Sequence, residues 1–142
     1  MDRRDFIKQS CFACMALGAG VAMSSLSSCS TLPIIKSDIE SDKISIDPTD
    51  FTDGATSILV RAKKLDHDIL LIKNSDSTYR ALYMRCTHNH FSLSSNKSQI
   101  FCTSHGAEFD LEGNVTKGPA VNKLHTFRAT EENGKIIIRL GA

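Results

Sequence analysis

Apolar and polar positions change their rhythm at about residue 42. Beyond that point, short runs rich in β-branched and aromatic residues alternate with turn residues. They predict strands at 43–46, 57–62, 68–73, 79–84, 99–101, 108–110, 114–116, 124–130 and 135–140. Asp53-Gly54, Asn74-Ser75-Asp76, Glu112-Gly113-Asn114 and Asn133-Gly134 supply the turns between them. Asn133-Gly134 lies between two β-branched runs and reads as a tight hairpin. The stretch 91–98 is polar and Ser-rich, and a helical turn is expected there. No long amphipathic helix and no internal repeat is legible. The pattern predicts an all-β domain, a small sandwich or barrel.

The first thirty residues follow a different logic. Arg3, Arg4 and Lys8 precede an apolar run from Cys11 to Met23, and small polar residues follow. This is the layout of an export signal, and it is set aside from fold reasoning. The run falls well short of the ~20 residues that a spanning helix needs. Arg3-Arg4-Asp5-Phe6-Ile7-Lys8 resembles a twin-arginine signal, and Leu26-Ser27-Ser28-Cys29 resembles a bacterial lipobox. The second resemblance implies that Cys29 takes lipid and becomes the mature N-terminus. The expected division is a signal at 1–28, a lipid-anchored tether at 29–42 and a folded domain at 43–142. It places the protein outside the cytoplasm, attached to a bacterial membrane.

Charge excludes one class of partner. Removing Arg3, Arg4 and Lys8 from the 17 basic residues, and Asp2 and Asp5 from the 16 acidic ones, leaves fourteen of each. Nucleic acid is not expected as a partner, because phosphate binding needs clustered basic surface.

The cysteines carry the candidate chemistry. Of five, Cys11 and Cys14 lie in the signal and Cys29 at the lipobox, so Cys86 and Cys102 remain as thiols. Each sits close to a histidine: Cys86-Thr87-His88, then Cys102-Thr103-Ser104-His105. An exported pair of cysteines would often form a disulfide, but the adjacent histidines favour a metal. Thiolate with imidazole excludes magnesium and calcium and leaves zinc or iron–sulfur. The usual zinc-finger order puts both cysteines before both histidines. Here the two types are interleaved. Interleaving suits a two-iron cluster, with Cys86 and Cys102 on one iron and His88 and His105 on the other.

Cys-x-His, thirteen residues, then Cys-x-x-His-Gly closely resembles the motif of the Rieske family. Gly118-Pro119-Ala120 resembles that family's proline loop, and the stretch from Ala107 to Pro119 is similar to Rieske ferredoxins in particular. The resemblance spans about residues 43 to 140. It implies a Rieske-type antiparallel sandwich or barrel with a small cluster-binding subdomain. It also implies one [2Fe-2S] cluster held by Cys86, His88, Cys102 and His105. On the family pattern His90 is a surface residue rather than a ligand, and His67 and His125 are expected to be exposed. Thr87 and Ser104 are candidate donors to the sulfurs, and Phe91 and Phe109 candidate water screens.

Departures from the pattern refine the expectation. In quinol-oxidising members each ligand loop carries one more cysteine, and the two join; Phe91 and Ser104 stand there in this chain. A serine and a tyrosine that donate to the cluster in those members are replaced by Ala107 and Phe109. Donors to sulfur favour the reduced, more negative cluster. Without them the potential is expected at the low end of the Rieske range, on the order of −150 to +50 mV. The chain shows no substrate triad or nucleotide loop, so an electron carrier or oxidoreductase subunit is expected rather than a stand-alone enzyme. The redox partner is unspecified. The alternatives are the iron–sulfur subunit of a quinol–cytochrome complex and a zinc-stabilised surface binding module.

Overall fold

The computed structural model describes residues 31–141. The signal segment, its arginines and Cys29 lie outside the described residues. Twelve strands form two sheets. They are β1 (Ile34–Ser37), β2 (Ile39–Glu40), β3 (Lys43–Ile46), β4 (Ser57–Ala62), β5 (Ile69–Lys73), β6 (Tyr79–Tyr83), β7 (Ser94–Ser95), β8 (Ile100–Phe101), β9 (Glu108–Phe109), β10 (Val115–Lys117), β11 (Thr126–Glu132) and β12 (Lys135–Arg139). The larger sheet runs β1-β4-β5-β6-β11-β12-β3-β2 and the smaller runs β10-β9-β8-β7. The larger sheet curls until its two ends approach, where the Ser37 hydroxyl on β1 donates to the Ser45 carbonyl on β3 at 3.3 Å. The result is a nearly closed barrel with a small second sheet beside it.

Alternation along the strands sorts the core into two compartments. Ile44, Ile46, Ile58, Val60, Ile69, Leu71, Ala81, Ile136 and Ile138 fill the barrel. Leu70, Ile72, Leu82, Met84, Ile100, Phe109, Ala120 and Leu124 fill the space under the small sheet. The Ile-Leu-Leu-Ile run of β5 therefore sends alternate side chains to opposite compartments. A strand buried on both faces must be apolar throughout, which is why β5 shows no polar alternation. β5 and β6 form the wall shared by the two halves.

Nine expected strands are present, with ends shifted by a residue or two. The hairpin is also present: Asn133 (φ 52°) and Gly134 (φ 74°) both take the left-handed conformation of a two-residue primed turn, so that Glu132 faces Lys135.

Two expectations fail. Residues 34–40, read as part of a tether, form β1 and β2. β1 pairs with β4 in parallel, Ile34 beside Leu59 and Lys36 beside Arg61, so the large sheet is not purely antiparallel. The pairing crosses more than twenty residues of sequence, and no local pattern announces it. Ser94–Ser95 pairs with β8 rather than forming a helical turn. The described residues contain only two short 3₁₀ turns, Pro48–Asp50 and Thr52–Gly54. The first is capped by Asp47, whose carboxylate accepts from the Thr49 amide at 3.0 Å.

One turn ties the small sheet to the segment that leads into β11. The Asp110 carboxylate accepts from the amides of Glu112 (2.9 Å) and Asn114 (2.8 Å). This places Gly113 at φ +87°, with its carbonyl accepting from the Leu124 amide at 2.8 Å. A Cβ at Gly113 would lie 3.0 Å from Leu82 Cδ2 and 3.4 Å from Leu124 Cβ. Gly113→Ala combines a left-handed backbone with overpacking, and a loss of about 2 kcal/mol is expected. Urea unfolding should show the lower midpoint; an unchanged midpoint would remove the turn from this role.

Candidate metal centre

Two loops rise from the small sheet's end of the molecule. The first leaves β6 through Met84 and returns at β7; the second joins β8 to β9. Although their sequences differ, their backbones are bonded alike. The Cys86 amide donates to the Phe91 carbonyl at 2.8 Å, and the His90 amide donates to the Cys86 carbonyl at 2.9 Å. In the second loop the Cys102 amide donates to the Ala107 carbonyl at 2.8 Å, and the Gly106 amide donates to the Cys102 carbonyl at 3.0 Å. The fifth residue of each loop, counting its cysteine as the first, turns left-handed: His90 at φ 60° and Gly106 at φ 76°. His90 thus occupies the position that glycine fills in its twin. It is an exposed turn residue, as expected.

These equivalent turns sort the side chains by depth. Cys86 and Cys102 are 1% and 2% exposed and belong to the apolar core under the small sheet. The Cys102 thiol sits below its ordinary pKa. Burial pushes it up, but hydrogen bonds from the Ser104 and His105 amides, the Cys86 thiol and the Ser104 hydroxyl together pull it lower. Such donors favour the thiolate that metals require. His88 and His105 lie at the surface with ring centroids 5.0 Å apart, edge to face.

The four expected ligands are therefore brought to one end of the molecule as two pairs, sulfur with sulfur below and nitrogen with nitrogen above. Among the described residues, no three His, Cys, Asp or Glu side chains close on a single point that would hold one ion. A donor set split this way fits a two-iron cluster with two thiolates on one iron and two imidazoles on the other.

A third loop covers one flank. The Thr87 hydroxyl donates to the Asn122 carbonyl at 2.6 Å, joining the first ligand loop to the segment after Gly118-Pro119. Ala120 and Leu124 anchor that segment in the core, while Val121 stands 86% exposed. Thr87 is thereby spent on the backbone, and its expected role as a donor to sulfur is not seen; the Ser104 hydroxyl enters only as one of the influences that lower the Cys102 pKa. Phe109 is fully buried below the thiols. Phe91, half exposed, stands 6.0 Å from His105, ring centroid to ring centroid.

Two contacts were missed from the sequence. His67 is partly buried, not free: its Nδ1 shares a 2.9 Å hydrogen bond with the Ser92 hydroxyl, and its ring meets Tyr83 edge-on. Asn122 enters only through its carbonyl. Both contacts join residues 25 or more apart in the chain, and no motif marks them. His125 is exposed, as expected, with its ring against Phe127.

Comparison with known proteins agrees with this geometry. Over 86 residues the chain is 30% identical to the chloroplastic cytochrome b6-f complex iron-sulfur subunit of Bigelowiella natans, a match covering 56% of this chain and 33% of that protein. The chain thus spans about a third of that relative's length. Among solved structures it resembles the plasma membrane Rieske protein PetC3 of Synechocystis PCC 6803, with a TM-score of 0.56 and 23% identity over 67% of this chain and 97% of that one. It also resembles a chain from the complex of reduced oxygenase and oxidized ferredoxin in carbazole 1,9a-dioxygenase, with a TM-score of 0.53 and 17% identity over 70% and 94% of the two chains. At these identities the structural likeness speaks for the fold. The model of the Rieske [2Fe-2S] domain matches residues 46–128, more than half the chain and both ligand loops, and the protein is a member of the Rieske [2Fe-2S] domain family.

Proposed function

We propose that Cys86, His88, Cys102 and His105 hold the family's [2Fe-2S] cluster, and that the chain is a one-electron carrier, or a small oxidoreductase subunit, attached to a membrane by lipid on Cys29. The observation that carries this reading is the division of ligands by depth: buried thiols, exposed imidazoles. When bound, the cluster supplies a one-electron iron couple. The rest is done by the protein. The core seals the sulfur side from water, and the Ser104 and His105 amides and the Ser104 hydroxyl offset part of the charge at Cys102. The two imidazoles leave a short path to the surface, so a partner docking there reaches the redox centre without any chain movement.

Ala107 and Phe109 are fully buried in the core shared with both thiols, and neither side chain can donate to a sulfur. Fewer donors leave the reduced state less supported. This favours a low-potential carrier over a subunit that accepts electrons from quinol, despite the similarity to a cytochrome b6-f subunit. Membrane attachment rests on the lipobox-like Leu26-Ser27-Ser28-Cys29 stretch, read from sequence.

Three outcomes are expected. Dithionite-reduced protein should show the rhombic EPR signal of a reduced two-iron cluster with imidazoles on one iron. Cys86→Ser, Cys102→Ser, His88→Gly and His105→Gly should each abolish it, whereas His90→Gly should keep it. A colourless, EPR-silent protein carrying one zinc would overturn the reading, and loss of the signal in His90→Gly would reassign the ligands.

Redox titration should place the potential on the order of −150 to +50 mV, rising in Ala107→Ser and Phe109→Tyr. A wild-type value above about +200 mV would refute the donor argument. Finally, Cys29→Ala should move the protein from the membrane pellet to the soluble fraction; continued pelleting would exclude lipid on that residue as the anchor.

A further inference from the structure

The stretches that carry the exposed imidazoles differ in charge from the rest of the chain. Among the described residues every carboxylate lies within 38–76, 108–112 or 131–132. None occurs in 77–107 or 113–130, the two stretches that hold both ligand loops and the covering loop. Arg85 and Lys123 lie in these stretches, both exposed. Neither takes part in the ion pairs found among the described residues.

Three carboxylates beside the loops are occupied, Asp68 by Arg61 at 2.7 Å and two just after the second loop. Glu108 pairs with Lys117 at 3.1 Å, and Asp110 is turned onto the amides of its own turn. The acidic groups of this neutral chain thus lie outside both stretches in sequence, with Asp66 and Asp68 sharing a surface groove with Ser92 on the flank of the first loop. The stretches that carry the ligand loops and the covering loop thus hold basic and no acidic side chains on a chain that is neutral from Cys29 onward.

The same stretches also carry exposed apolar side chains. Three large apolar side chains are notably exposed in the described residues: Ile34, Phe91 and Val121. Two of the three flank the site, Phe91 beside His105 and Val121 on the loop tied to Thr87. Exposed apolar groups edged by like charge mark a contact surface.

We infer that this face docks an acidic redox protein, one that presents carboxylates around an apolar edge of its own metal site. The inference rests on the electron-transfer reading above and adds the chemistry of the partner to it. A cluster held by these four residues would supply the single electron on contact, and the partner's metal would be reduced by one. Arg85 and Lys123 act before that step, by steering the encounter, and Phe91 and Val121 exclude water at the contact.

Stopped-flow oxidation of the reduced, detergent-solubilised full chain tests this with two protein oxidants, an acidic blue-copper protein and a basic c-type cytochrome. At low salt the copper protein should react faster, and its rate should fall about tenfold as salt rises to ~200 mM. Lys123→Glu and Arg85→Glu together should slow it about tenfold at low salt while the EPR signal is retained. Val121→Asp, at a largely exposed position, should act in the same direction without touching the loops' hydrogen bonds. A faster basic cytochrome, or rates indifferent to salt and to these substitutions, would overturn the acidic partner while leaving electron transfer intact. Failure of both oxidants to take electrons from a loaded cluster would instead bring down the electron-transfer reading, and this inference with it.

Discussion

Two thiols buried in an apolar core are the constraint on which the rest of this structure depends. Cys86 and Cys102 are packed among Leu70, Leu82, Met84, Ile100 and Phe109, where an uncompensated charge would be costly. The protein meets that cost locally, by turning amides toward Cys102 and by placing the thiols against each other. A metal taking both as thiolates would complete the arrangement, and its binding would then be coupled to the stability of this half of the molecule. The histidines follow from the same turn geometry. With each cysteine held inward by a pair of backbone bonds, the side chains two or three residues later emerge at the surface.

The architecture beneath serves this arrangement. β5 and β6 present one set of side chains to the barrel and the other to the cluster compartment. The barrel fixes these strands through its own core, and they in turn fix the floor of the site. The Asp110 turn and the Gly113–Leu124 bond close the remaining side, and the covering loop is held to the first ligand loop by Thr87 and Asn122. A carrier that must exchange electrons with little rearrangement is served by such rigid support.

The departures from quinol-oxidising members are consistent with one another. Phe91 and Ser104 replace the disulfide pair, and Ala107 and Phe109 replace the hydroxyl donors. Phe91 has another use in this structure, as exposed apolar surface beside His105. Of these positions Phe91 contributes exposed apolar surface, whereas Ala107 and Phe109 are buried beneath the thiols.

Much of this was legible in the sequence, for identifiable reasons. Strands with strong β-branched runs, such as Ile136-Ile137-Ile138, announce themselves because their pattern is local. So does the Asn133-Gly134 hairpin, since few residue pairs accept two left-handed conformations in succession. The ligand loops were legible because Cys-x-His and Cys-x-x-His are contiguous. Other features depended on groups distant in the chain. The pairing of Ile34–Ser37 with β4 satisfies a strand edge that sequence periodicity does not describe. Thr87 gave its hydroxyl to a backbone carbonyl rather than to sulfur, because the covering loop returns within reach only after folding. The sequence alone determined the thiol and imidazole pairs and their spacing; tertiary packing decided which of them are buried and which exposed, because burial and proximity are properties of strands brought together across the whole chain.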